Sequence, residues 1–100
     1  MAIGNHEARK FIADLKPFRS YTDSLRGVLD SNLNEYRVYS YATLMAVVSL
    51  EGNAGGEITY LDERQYSVTT SKHQGIISSG IAGLPLAEGA IHYERARRKR

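Results

Sequence analysis

The stretch Tyr36-Arg37-Val38-Tyr39-Ser40-Tyr41-Ala42-Thr43-Leu44-Met45-Ala46-Val47-Val48-Ser49-Leu50 decides the fold class of this chain. Its even positions are Tyr36, Val38, Ser40, Ala42, Leu44, Ala46, Val48 and Leu50. Its odd positions are Arg37, Tyr39, Tyr41, Thr43, Met45, Val47 and Ser49. Side chains alternate faces along a strand, so the even series reads as a core face. The stretch exceeds ordinary strand length, which calls for a bend or bulge near Ala42 and Thr43. Gly52-Asn53-Ala54-Gly55-Gly56 then supplies permissive backbone for a hairpin loop. Glu57 to Leu61 returns as a strand, and Asp62-Glu63-Arg64-Gln65 turns again before Tyr66-Ser67-Val68. The pattern is that of an antiparallel meander.

Toward the N-terminus, Phe18 and Leu25 are candidate buried anchors with turn-forming Ser20, Thr22, Asp23 and Ser24 between them. Leu25 to Leu29 fits a short strand, a helical turn from Thr22 competes with it, and Asp30 to Asn34 is loop chemistry. Ahead of these, Ala8, Phe11, Ile12 and Leu15 form one apolar stripe at helical spacing. Asn5 is the expected N-cap, Glu7 suits the first turn, and Pro17 ends the helix at Lys16.

Toward the C-terminus, Thr69 or Thr70 is placed to cap a second helix that stops at Gly80. Pro85 suits the first turn of a last helix carrying Ala87, Ala90, Ile91 and Glu94 on one side. The expected fold is therefore α+β. A three- to four-stranded antiparallel meander from about residue 25 to 68 is packed by the N-terminal helix and a helix after Thr70, with a basic C-terminal helix. One domain, 1–94, is expected, followed by the tail 95–100.

The composition is ordinary for a globular chain of 100 residues, with 42% hydrophobic and 24% charged residues. The net charge of +2 hides a partition. Residues 1–94 hold eight Lys/Arg against eleven Asp/Glu, while Arg95-Ala96-Arg97-Arg98-Lys99-Arg100 carries five cations and no acid. The absence of Cys excludes disulfides, zinc ribbons and thiol catalysis, and a reducing cytoplasm fits best. The longest apolar run, Leu44 to Val48, is too short for a membrane span, and the first fifteen residues carry no secretory apolar region. His6, His73 and His92 lack ligand spacing, so no metal and no cofactor is expected.

Two segments carry a resemblance: Tyr36-Arg37-Val38-Tyr39-Ser40-Tyr41-Ala42-Thr43 and Tyr66-Ser67-Val68-Thr69-Thr70-Ser71-Lys72-His73-Gln74, with Phe18 and Leu25-Arg26-Gly27 upstream. Together they resemble a short domain of unknown function found in phage and mobile-element proteins, over about Phe18 to Gln74. Arg19 to Asp23 departs from the Asn/Gly-rich turn of that pattern. The resemblance implies a viral or mobile-element source and no established activity.

Three groups of residues are candidates for contact with a partner. Arg37, Tyr39, Tyr41 and Thr43 alternate onto one strand face, a cation and two aromatics of the kind that stack single-stranded bases. The plain alternative is that a helix covers this face and the tyrosines pack beneath it. Thr69, Thr70 and Ser71, followed by Lys72 and His73, form a polar helix start able to hold an anion. Against this, the hydroxyls simply cap the helix. The run Arg95, Arg97, Arg98, Lys99 and Arg100 either contacts phosphates, docks on an acidic surface or is solvated. The leading expectation is a non-enzymatic nucleic-acid-binding accessory protein with no catalytic residue, using Arg37, Tyr39, Tyr41, Lys72, His73 and the tail. The alternative is a protein-binding module, an inhibitor of a host factor or a virion component, using an apolar sheet face. A ribonuclease-like toxin with His73 as base ranks last. Met45 and Val47 on the odd face point to homo-oligomerisation, and no membrane partner is expected.

Overall fold

The computed structural model describes residues 2–51, 56–64 and 66–94. One seven-stranded mixed sheet runs through them, with strands in sequence order: β1 (Ala2–Ile3), β2 (Phe18–Ser20), β3 (Leu25–Asp30), β4 (Glu35–Ser40), β5 (Thr43–Ser49), β6 (Glu57–Asp62) and β7 (Leu86–Tyr93). β2 to β6 are antiparallel neighbours, whereas β1 pairs parallel to β2 and β7 parallel to β6. Parallel neighbours need a crossover, and each of the two helices supplies one. Helix α1 (Asn5–Ala13) connects β1 to β2, and α2 (Val68–Gly80) connects β6 to β7. Both helices pack on the same face and against each other, so the molecule has two layers and one open sheet face.

The core lies between these layers. Ala8 and Ile12 of α1 and Ile77 of α2 meet Phe18, Leu25, Tyr36, Val38, Ala46, Val48 and Ile58 of the sheet. Gly80 brings the helices together: a Cβ there would lie 2.6 Å from Ile12 Cγ2. α1 ends with Leu15 at φ 54°, where Lys16 N–H donates to the Phe11 carbonyl and Leu15 N–H to that of Ile12. This Schellman closure releases the chain at Asp14, before Pro17 acts. Gly4 takes the N-cap position, and Asn5 is already helical.

The expected three- to four-stranded meander with a basic C-terminal helix is thus corrected in four places. First, the long central stretch is two strands. The chain reverses at Tyr41-Ala42, with Ser40 opposite Thr43 and Tyr41 at φ 55°. No Gly or Asn marks this turn. A bulge then places Val38 opposite Ala46 and Tyr39 opposite Leu44, which leaves Met45 as the extra residue. It turns Met45 into the core, and Val47 is only 7% exposed, so neither supplies the wet apolar face that argued for homo-oligomerisation.

Second, the sheet extends beyond the expected meander: Leu25–Asp30 is a strand as expected, but β1 and β2 lie outside it and pair parallel to each other. Third, α2 begins at Val68 and is capped by Ser67, whose Oγ accepts from Thr70 N–H, so neither Thr69 nor Thr70 is the cap. Tyr66 to Val68 leads into this helix and adds no strand. Fourth, Leu86–Tyr93 is a strand, although Pro85 and the spacing of Ala87, Ala90 and Ile91 suit a helix. Gly89 at φ 80° is incompatible with a helix interior and lies in the register break between Ile58–Leu86 and Tyr60–Ile91. The rest of the expected basic helix, Arg95 to Arg100, lies outside the described residues.

Candidate functional site

The block Tyr66 to Gln74, the richest in chemistry by sequence, docks α2 onto the sheet. Tyr66 Oη donates to Asp62 Oδ2 at 2.5 Å, and Ser67 caps the helix. Thr70 is buried, with Oγ1 3.4 Å from Ser40 Oγ. Gln74 Nε2 donates to the carbonyls of Asp62 and Arg64, at 3.0 and 2.8 Å. These contacts bind the helix to β4 and to the segment after β6. Thr69 and Lys72 are exposed and Ser71 is half-buried. The Thr70 N–H that an anion would use already serves Ser67.

His73 is fully buried beneath Tyr41, their ring centroids 5.8 Å apart. Its Nδ1 lies 2.6 Å from Ser40 Oγ and its Nε2 makes a long contact of 3.5 Å to Ser24 Oγ, which meets Thr22 Oγ1 at 2.7 Å. A proton on Nδ1 gives the chain one direction: Thr22 to Ser24 to His73 to Ser40 to Thr70. Burial holds the imidazole below its ordinary pKa, so the neutral form prevails. Both ring nitrogens face hydroxyls, and neither a substrate proton nor a phosphate reaches them from solvent. His73 therefore touches Tyr41 but sits on the other side of the sheet from Arg37 and Tyr39.

A second polar cluster lies beside α2 where β6 ends. Asp62 has a fully buried side chain, and Arg64 Nε and a terminal guanidinium nitrogen donate to its two oxygens at 3.1 and 3.0 Å. Burial opposes ionisation of Asp62, but hydrogen bonds from Arg64 and Tyr66 outweigh it and hold the carboxyl below its ordinary value. The guanidinium of Arg64 lies over Tyr93 at 4.1 Å, and Tyr93 meets Tyr60 edge-on at 5.9 Å. His92 Nε2 lies 2.6 Å from Glu63 Oε1 beside this cluster. Among the described residues, no three His, Cys, Asp or Glu side chains converge as metal ligands.

The helix-free face is organised by strand register. One row runs Val28, Arg37, Val47, Tyr60 and Ile91 across β3 to β7, and another runs Arg19, Arg26, Tyr39 and Leu44 across β2 to β5. Arg37 and Tyr39 thus share this face as the alternation predicts. Tyr41, at the turn and 52% exposed, instead lies over His73. The Arg26 guanidinium is 5.2 Å from the Tyr39 ring centre. Arg37 is tied to Glu35 at 3.0 Å and Arg64 to Asp62, so much of the face's positive charge is internally paired. Arg26, Tyr60, Arg64 and Tyr93 were not singled out in the sequence. The first two became visible only through cross-strand pairing, and Asp62 to Arg64 read as a turn. The residues Arg95, Arg97, Arg98, Lys99 and Arg100 lie outside the described residues, and Tyr93, at the end of β7, belongs to the aromatic cluster from which they follow.

Comparison with known proteins found no matching family model, curated protein or solved structure. No helix among the described residues is long and apolar enough to cross a membrane.

Proposed function

We propose that this chain is a small non-enzymatic accessory protein of a phage or mobile element, acting in the host cytoplasm, that binds single-stranded nucleic acid. The observation that carries this reading is the placement of Tyr39, Tyr60 and Tyr93 with Arg26, Arg37 and Arg64 on and around the helix-free face. Aromatic rings on an open sheet offer stacking platforms for bases, each worth about 1–3 kcal/mol. Because Arg37 and Arg64 already hold carboxylates, the long-range attraction is assigned to the tail 95–100 and the contact energy to the rings. Lys72, exposed on α2, is outside this surface. Buried His73, Thr70 and Ser40 hold the helix that leaves the other face open.

The test is fluorescence anisotropy of a labelled single-stranded oligonucleotide against the full chain at rising salt. Affinity that falls steeply with salt, a shallower slope for the chain ending at Glu94, and weaker binding by Tyr39→Ala support the reading. Salt-independent or absent binding overturns it. A protein partner is the second reading, favoured by the outer strand β7, where Leu86 and Ile91 are 50% and 53% exposed. A complex that survives high salt and is lost on Ile91→Lys distinguishes it.

A further inference from the structure

We propose that the notch beside β2 is a binding site for a small organic anion with an apolar body. β2 ends at Phe18 because Pro17 has no N–H to continue the ladder, while β3 runs on to Asp30. The space beside Val28 is an open cavity of about 620 Å³, within the range of small-molecule sites. Its apolar walls are Ile3, Phe11, Pro17, Phe18 and Val28.

The walls are held in place. Phe11 and Phe18 are in ring contact at 6.1 Å, and buried Tyr36 donates its hydroxyl to the Lys16 carbonyl at 2.8 Å, just before Pro17. Gly27 lets Phe18 and Tyr36 pack directly over the backbone of β3: a Cβ there would come within 2.6 Å of Phe18 Cε1 and collide with the Tyr36 hydroxyl. The cavity therefore exists before any ligand arrives.

Charge selects the occupant. Arg19 and Arg26 both line the cavity and are directly opposite one another across β2 and β3, an arrangement of like charges that costs stability. Among the described residues, no acidic side chain lines it. Arg26 makes no ion pair among the described residues, and Arg19 reaches only Asp23, at 3.5 Å between two well-exposed side chains. A carboxylate or phosphate at this lip relieves the repulsion through charge-assisted hydrogen bonds, and its aryl or acyl body covers Phe11, Phe18 and Val28.

The experiment follows the Gly27 and Val28 amide resonances of the full chain by NMR. The probes are 1-naphthyl phosphate, dodecanoate, 1-naphthol and inorganic phosphate. Saturable shifts with 1-naphthyl phosphate or dodecanoate are expected, and the tighter of the two identifies the body as aryl or acyl. Arg26→Gln, and independently Arg19→Gln, weaken that binding by at least about tenfold while the remaining resonances stay in place. The proposal is overturned if neither anion binds, or if 1-naphthol or inorganic phosphate binds as tightly. It is equally overturned if both variants bind like the parent. No nucleic acid enters this experiment, so its outcome is independent of the oligonucleotide reading.

Discussion

Acidification should loosen the protein through His73. The imidazole is fully buried, touches hydroxyls from Ser24 and Ser40, and is held by burial below its ordinary pKa of 6.5. The unfolded chain takes up this proton from about pH 6.5 downward, whereas the folded protein resists it. The unfolded state then binds more protons, so the stability present above pH 6.5 is lost as pH falls toward the folded pKa. The slope approaches about 1.4 kcal/mol per pH unit for one such group. Asp62 is also held low, but its contribution is lost only at more acid pH, below the ordinary aspartate value of 3.8. Urea unfolding of the parent and of His73→Gln between pH 7.5 and 4.5 separates the two groups. The parent should lose stability across this range, and the variant, less stable at pH 7.5, should have a distinctly flatter profile. Equal slopes would refute the assignment of the proton to His73.

Other perturbations probe the packing that this site depends on. Gly80→Ala should destabilise by about 1–3 kcal/mol in urea titrations, because its Cβ meets Ile12 where α1 and α2 touch. Gln74→Ala removes the two bonds from α2 to the carbonyls of Asp62 and Arg64, with an expected loss of about 1–3 kcal/mol by the same assay. Ser67→Ala should cost about 1 kcal/mol as the true N-cap, while Thr69→Ala, exposed and outside the cap, should change the midpoint little. A larger effect at Thr69 than at Ser67 would contradict the observed helix start.

The period-two signal from Tyr36 carried the strand character and the inward side of β4: Tyr36, Val38 and Ser40 are all buried. It missed the reversal at Tyr41 because the turn uses a tyrosine at positive φ, where sequence rules expect Gly or Asn. It misplaced Met45 because a bulge flips the alternation after Leu44, and no residue type announces a bulge. The outer strands were harder still. β1 has two residues, and β7, preceded by Pro85, carries Ala87, Ala90 and Ile91 in a spacing that local propensity reads as helix. Parallel pairing with β6 overrides that preference, and such pairing is a long-range fact.

The candidate site divided in the same way. Arg37 and Tyr39 were legible because they share a strand face. Their partners Arg26 and Tyr60 are contributed by other strands and required the register. The polar block from Thr69 to Gln74 looked like a ligand site because hydroxyls, an amide and an imidazole serve either purpose. Only burial shows that Thr70, His73 and Gln74 face the protein.

The proposed nucleic-acid contact lies on the helix-free face and not at the start of α2. Mapping amide shifts of the full chain during titration with a single-stranded oligonucleotide tests that placement most directly. Perturbations centred on Arg26, Arg37, Tyr39 and Tyr60, with Thr69 to Lys72 unmoved, are the expected result. Shifts confined to Thr69 to Lys72, or none at saturating oligonucleotide, would contradict it.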